Sequence, residues 1–478
     1  MRGESRMPEF KRIDPRGATL WARVRVVRNS ALNLSGVLIP AAVAVASTPV
    51  LLTSLGAGGF GVLALQLAVL TIIGVNDFGI SRAVVLEAVA KGGFSDSLAL
   101  AEVTQSGLEL LCFLAAAVLV LGGGAVGLLS RMDFIPSDQR ASWIFTVLSS
   151  AVSLFVLPLR ASLEVQERFG LINLLRITGS SSLFLAPMLA ALIWPNLAAI
   201  GIAIFASRCL LLLMSAAVTR PMWTSFSLAG VVRTARDAVK QSTSASHSRL
   251  LALAGWLGAA GFVSTLIGYA DRFALGMAVD VAAVGNYTVV SELVTKIWLI
   301  SGALVAAMTP RLAHAWATDA LDLRREFAFL VGGLALVGSG GLFVLLIFGE
   351  QILTLWLGKG YRPEMLEPLR ILALGISINI ITTANFLLMT IGGRTRAAAL
   401  VQIVALPISF AAYLGAAHLF GIVGVAWAFT GRLVLDAALI YYLTPRSPSG
   451  KRIAVDWWMQ LAWGTGAAGL YYVTSTGS

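Results

Sequence analysis

Apolar stretches of about 20 residues recur along the chain, separated by short polar connections. We read twelve, at about 30–52, 58–80, 104–128, 142–162, 170–193, 196–218, 250–270, 284–308, 327–348, 367–391, 397–419 and 421–443. At about 1.5 Å of rise per residue, each is long enough to span the ~30 Å hydrocarbon core as a helix. Lipid supplies no hydrogen-bond partners, so a spanning backbone forms helices or a closed barrel. The alternation of barrel strands is absent. The pattern predicts an all-α polytopic membrane protein.

Charged side chains inside such crossings cost on the order of 3 kcal/mol at the helix centre unless they face protein or water. Their helical phase therefore marks candidate sites. In the eighth crossing Thr288, Ser291, Glu292, Thr295 and Lys296 fall at i, i+3, i+4, i+7 and i+8, one polar stripe on an apolar helix. Glu292 and Lys296 are also ordered for an i,i+4 ion pair; a stripe longer than the pair points to a cavity lining. The first crossing aligns Asn29, Asn33, Gly36 and Pro40. A mid-helix proline removes a backbone hydrogen bond, giving either a bending inner helix or a fixed kink. The second aligns Gln66, Gly74, Asp77 and Ser81, where Asp77 is either a partner for Arg82 or a protonatable coupling group. The fifth aligns Asn173, Arg176 and Ser180; the tenth aligns Asn379, Thr382, Phe386 and Thr390; the twelfth sets Arg432 four residues before Asp436. Arg208, in the sixth, has no acid near it in sequence and requires a partner such as Glu109, a water-filled cavity or an anionic ligand. Asp271–Arg272 at the end of the seventh crossing reads as an interfacial anchor. The candidates are thus a cationic cavity of Arg176, Arg208, Lys296 and Arg432 with Asn33, and coupling acids Asp77, Glu109 and Glu292.

Composition agrees, and charge sets the orientation. The chain has 478 residues, 58% hydrophobic and 12% charged, with mean hydropathy +0.84; soluble domains carry about 25% charged residues. The net charge of +11 would suit nucleic acid, but its placement follows the membrane. Of the 35 Lys and Arg, Arg131, Arg140, Arg272, Lys359, Arg362 and Arg370 fall on one side, and Arg208, Lys296 and Arg432 lie within crossings. The rest crowd the first 28 residues and every second connection. This bias places both termini in the cytoplasm and attracts anionic membrane lipids; no nucleic-acid partner is expected. Cys112 and Cys209 lie in separate crossings with no Cys-x-x-Cys, so neither a disulfide framework nor a zinc site is indicated. His247, His314 and His418 form no metal-binding pair, there is no nucleotide P-loop, and no cofactor is expected. Ala42-Val43-Ala44 has the form of a signal-cleavage triplet, but the surrounding apolar run is too long for a signal peptide, so the first helix is expected to stay uncleaved.

The crossings suggest a duplication. Leu55-Gly56 followed by Gly61 matches Leu275-Gly276 followed by Gly285 at an offset of about 220, and Glu167-Arg168-Phe169 matches Gly393-Arg394-Thr395 at about 226. The expected organisation is a basic tail over 1–28, an N-lobe over 29–218, a linker over 219–249, a C-lobe over 250–444 and a tail over 445–478: two pseudo-symmetric six-helix lobes around a central cavity. In the linker Leu228, Val231, Val232, Ala235 and Val239 oppose Arg233, Arg236, Asp237 and Lys240, an amphipathic helix for the cytoplasmic surface. Residues 456–474, flanked by Trp457, Trp458, Tyr471 and Tyr472, read as interfacial rather than as a thirteenth crossing.

One ordered set of short motifs points to a family. It comprises Pro49 through Leu55-Gly56; Gly59-Phe60-Gly61-Val62; Asp77 through Arg82; and Glu164, Gln166 and Arg168-Phe169 with Asn173. Asp271-Arg272 with Leu275-Gly276, leading to Val284-Gly285-Asn286-Tyr287, completes it. The set, over roughly residues 28–444, resembles the polysaccharide-type flippases of the multidrug/oligosaccharidyl-lipid/polysaccharide exporter (MOP) superfamily, which serve O-antigen and capsule synthesis. The resemblance implies a V-shaped bundle in the bacterial inner membrane. It also implies that undecaprenyl-pyrophosphate-linked oligosaccharide moves from the cytoplasmic to the outer leaflet by alternating access. H+ or Na+ would be the coupling ion and a polysaccharide polymerase a further partner. The competing readings are a multidrug/cation exporter and a membrane polysaccharide polymerase or ligase. The latter needs long extracytoplasmic loops, and the outer connections here run under about 20 residues by the crossings above.

Overall fold

The computed structural model describes residues 15–74, 79–90, 97–219, 258, 261–318 and 323–445. The expected surface helix of the linker, the segment 456–474 and residues 1–14 of the basic N-terminal tail lie outside them. The described residues form twelve α-helices and no strand: α1 (Pro15–Gly74), α2 (Ile80–Ala90), α3 (Ser97–Arg131), α4 (Arg140–Val165), α5 (Phe169–Ile193), α6 (Leu197–Thr219), α7 (Ala270–Ala278), α8 (Val281–Thr295), α9 (Ile297–Ala317), α10 (Leu323–Leu357), α11 (Leu366–Ile391) and α12 (Thr395–Leu443). Among the described residues, nine helical stretches are long and apolar enough to cross a bilayer. This is a multi-pass, all-α membrane protein.

Two of these helices are folded double. Gly56 interrupts α1 with φ 70° and ψ 172°. Val37 and Thr71 line one cavity, whereas 34 positions of straight helix would part them by about 51 Å. The chain therefore reverses at Gly56, where glycine alone takes a positive φ without steric cost. α12 reverses likewise at Gly421, φ 58° and ψ −137°. There the Arg394 Nη1 donates to the Leu443 carbonyl at 3.5 Å across 49 positions, about 74 Å of straight helix. These two hairpins carry the first, second, eleventh and twelfth predicted crossings.

Two boundaries differ from expectation. The seventh crossing does not end at 270: helical residues 261–267 lead into α7, and the chain turns at Val279–Asp280. The Asp280 carboxylate accepts the Ala283 N–H at 2.6 Å and caps α8. Asp271 and Arg272 are therefore buried, at 3% and 8% exposure, and anchor no interface. The eighth crossing is divided at Lys296, which separates α8 from α9.

Contacts sort the helices into two groups. α3, α4, α5 and α6 pack with α1 and α2, while α7 to α12 pack among themselves; α1 against α8 is the main bridge. The largest core cluster spans that bridge, joining Leu51 and Leu63 of α1 to Val284, Tyr287 and Val290 of α8 and to Leu369 of α11. Smaller clusters stay inside one group, as around Val84, Leu111 and Leu154 or Leu312, Leu330 and Leu388. In lipid, such interfaces rest on close packing rather than on expulsion of water.

Candidate functional site

A cavity of about 430 Å³ lies between both arms of α1, α5, the α7 segment, α8 and the start of α9. Four positions of the predicted stripe, Thr288, Glu292, Thr295 and Lys296, stand on its wall; the fifth, Ser291, is buried behind them. The i,i+4 pair is formed, with Lys296 Nζ donating to Glu292 Oε2 at 2.6 Å. Arg272 adds a second cation: its Nη2 donates to Glu292 Oε1 and to Ser291 Oγ, both at 3.2 Å. The guanidinium stacks over Tyr269, 4.8 Å from the ring centre. Behind it, Asp271 Oδ1 accepts the Arg272 backbone N–H and Oδ2 accepts the Tyr287 hydroxyl, each at 2.8 Å. Glu292 is thus held between two cations, and the cavity's charged lining carries one net positive charge.

Arg272 is the residue sequence reasoning missed, having been assigned to an interface. The signal that could have found it is Asp280, a good N-cap ahead of an apolar run. A turn there puts Arg272 about 12 Å inside the bundle at 1.5 Å per residue.

Thr71, Ser180 and Leu183 also border a second recess of about 130 Å³, enclosed by the second arm of α1, α4, α5 and α6. Arg160, Arg176 and Arg208 line it, with no carboxylate among its described lining residues. Arg208, only 6% exposed, donates from Nη2 to the Gly179 carbonyl at 2.6 Å and to the Ser182 hydroxyl. Its Nε has no partner among the described residues. The predicted Asn173–Arg176–Ser180 alignment holds in part: Arg176 and Ser180 reach the recess, while Asn173 is buried beneath Gly36.

No family model matches the chain. A Shigella flexneri protein named "Putative O-antigen transporter" is 25% identical over 425 residues, covering 88% of this chain and 98% of its own. Among solved structures, a point mutant of the Vibrio cholerae MATE transporter VcmN gives a TM-score of 0.58 at 15% identity, over 87% of this chain and 95% of that one. An inward-facing multidrug resistance MATE family transporter of the MOP superfamily gives 0.57 at 13% identity, over 94% and 96%. This chain has the fold of the MOP-superfamily transporters. The resemblance to polysaccharide-type flippases is met by the Shigella relative.

Within this fold the remaining candidates separate. Arg432 lines neither the cavity nor the recess; it pairs with Asp436 at 3.3 Å and lies over Phe429, 5.2 Å from the ring centre. Glu109, 3% exposed in α3, accepts from Gln105 Nε2 at 3.0 Å. Arg208 takes a carbonyl and a hydroxyl instead, because its side chain projects between α5 and α6. Of the alternatives open for Arg208, the Glu109 partner is not what the fold builds. Asn379, Phe386 and Thr390 of the tenth-crossing stripe line a separate recess of about 360 Å³ between α9 and α11. The Asn33 side chain and Asp77 lie outside the described residues.

The two helix groups meet closely near Gly56 and along the first arm of α1. There Trp356 Nε1 donates to the Val45 carbonyl at 2.8 Å. Gly360 sits against Leu52, and Gly61 against the Val281 carbonyl.

Proposed function

We propose that this protein is a transporter, a flippase for undecaprenyl-pyrophosphate-linked oligosaccharide in the bacterial inner membrane, with both termini in the cytoplasm. The observation that carries the reading is a net-positive cavity of about 430 Å³ between the two helix groups, built into a chain that is otherwise apolar. A diphosphate bearing sugars does not cross hydrocarbon unaided, since an uncompensated charge there is prohibitively costly. Guanidinium and ammonium donors in place of water offset that cost, arginine by bidentate contacts. The polyprenyl tail stays in lipid while the headgroup passes between the lobes, which rock about the α1–α8 contact. In the proposed state the close contact near Gly56 shuts the far side, and the cavity faces the side that bears the termini, where the substrate is made. The O-antigen relative supports this substrate class.

Glu292 is the coupling acid in this reading. A proton or Na+ taken up there loosens its hold on Arg272 and Lys296 and frees their donors for the hydroxyls of the substrate's sugars. Glu109 faces neither hollow, which makes it the weaker candidate. Drug cations would meet Arg272 and Lys296 with repulsion, so multidrug export is disfavoured.

The test is translocation by the purified protein in liposomes, using a short-chain polyprenyl-diphosphate glycan and, in parallel, a lipophilic cation. Glycan movement that Lys296→Glu abolishes, with membrane insertion unchanged, is expected. Transport of the cation with no movement of the glycan would overturn the assignment. Indifference to pH, sodium and membrane potential together would remove the coupling step alone.

A further inference from the structure

The two hollows differ in a way that divides the labour of binding. In the central cavity the cations are already satisfied, because Glu292 bonds both Lys296 at 2.6 Å and Arg272 at 3.2 Å. In the side recess neither Arg176 nor Arg208 pairs with a described carboxylate, and Arg208 is held by neutral acceptors only. A buried guanidinium whose charge nothing neutralises is the costlier arrangement in a bilayer. It persists where a ligand supplies the missing charge. The sizes differ too. The central cavity, about 430 Å³, lies within the roughly 300–1,000 Å³ of small-molecule sites. The recess, about 130 Å³, is too small for an oligosaccharide and has room for a few water-sized groups, taking about 30 Å³ for each.

We propose that the recess lined by Arg160, Arg176 and Arg208 seats the phosphate-ester anion of the lipid-linked substrate, and that the central cavity takes its sugars. This rests on the flippase reading above. The arginines are stepped in depth from the end that carries the 165–168 turn. At 1.5 Å per residue, Arg160 lies about 8 Å from the end of α4, Arg176 about 10 Å from the start of α5 and Arg208 about 16 Å from the end of α6. An anion entering from that end meets successive guanidiniums and stops at Arg208, whose free Nε is nearly buried. The shared wall of Thr71, Ser180 and Leu183 lets one molecule occupy both hollows. All three arginines belong to the helix group of α1 to α6, so the headgroup travels with that lobe while the Arg272–Glu292–Lys296 cluster on the other lobe responds to it.

The experiment measures binding of inorganic pyrophosphate to the purified full-length chain in nanodiscs, for wild type, Arg176→Gln, Arg208→Gln and Lys296→Gln. Melting curves report folding. Arg176→Gln removes no described hydrogen bond, so it tests the site even if Arg208→Gln, which orphans the Gly179 carbonyl, unfolds. Both arginine variants should weaken pyrophosphate at least tenfold, and Lys296→Gln less than threefold. The same affinity is measured in nanodiscs rich in phosphatidylglycerol. Unchanged affinity there supports a diphosphate site; competition at equal strength would make the recess an ordinary phospholipid site and overturn the assignment. Retention of pyrophosphate by Arg176→Gln, or an equal loss in Lys296→Gln, would overturn it too. If the arginine variants lose pyrophosphate while wild-type liposomes translocate no glycan, the flippase reading fails and the anion site stands.

Discussion

Gly61 and Gly285 meet where α1 crosses α8, and neither position has room for a side chain. A Cβ on Gly61 would overlap the Val281 carbonyl oxygen, and one on Gly285 would overlap the Ala57 carbonyl oxygen. The contact is reciprocal, each partner lying 224 positions from its counterpart (57 to 281, 61 to 285). That is the pattern of two related surfaces packed about a twofold axis. It refines the offset of about 220 drawn from Leu55-Gly56 and Leu275-Gly276. Gly276 lies within α7, and the counterpart of the Gly56 turn is Val279–Asp280. Small residues let helices approach closely in lipid, and here they join the two helix groups near Gly56.

Gly61→Ala and Gly285→Ala should therefore each force the crossing apart. Both alanines would meet backbone, which cannot swing aside as a side chain does, so the overpacking cost is about 1–3 kcal/mol or more. Each variant should melt at lower temperature in detergent. Each should also expose the Gly56 end to a membrane-impermeant thiol reagent at a cysteine placed at Thr288. Wild-type labelling in both would mean that the crossing does not hold this end shut.

Glu292→Gln should leave Arg272 and Lys296 without their carboxylate. Breaking a buried pair costs about 3–5 kcal/mol, and less here because Lys296 keeps 27% side-chain exposure. The variant should lose thermal stability and the dependence of transport on pH or sodium. Glu109→Gln should keep that ion dependence. Measuring flux against a pH gradient and a sodium gradient separates the two; a loss confined to Glu109→Gln would reverse the roles.

Arg432 and Asp436 are a structural pair in this fold. A buried ion pair is often replaceable by apolar residues of similar volume, whereas removing one partner strands a charge. Asp436→Leu alone should be strongly destabilised, and Arg432→Met with Asp436→Leu should recover most stability and glycan flux. If the double variant is stable yet transport-dead, Arg432 contacts substrate.

Tyr287→Phe removes the hydroxyl that Asp271 accepts at 2.8 Å, in a residue with 0% exposure. Leaving that buried oxygen one partner short should cost about 1–3 kcal/mol. The fall in melting temperature should exceed that of Tyr413→Phe, since Tyr413 Oη makes no hydrogen bond of good geometry among the described residues. Equal effects would show that the Asp271 contact adds nothing.

Helix lengths, the Gly56 reversal and the polar stripe from Thr288 to Lys296 were legible in the chain, because each depends on neighbours within one or two turns. An i,i+4 pair such as Glu292–Lys296 forms wherever the helix forms. Arg272 was not legible. Its neighbour Asp271 mimicked an interfacial anchor, and the true turn lay eight residues on at Asp280, marked by a cap rather than by charge. Arg208 stood out in the chain as a charge with no acid near it in sequence, but its acceptors on α5 could not be named, since they depend on how α5 and α6 meet.

By itself the sequence determined that this protein lives in a bilayer and which helix faces are polar, since hydrophobicity and charge act residue by residue. Only the tertiary structure decided which of those faces share a hollow. It set Glu292 between two cations, left Arg176 and Arg208 in a recess without a described carboxylate, and buried Arg432 against Asp436. Those outcomes depend on how helices cross, which is settled by close packing at contacts such as Gly61 on Gly285 and not by any local pattern.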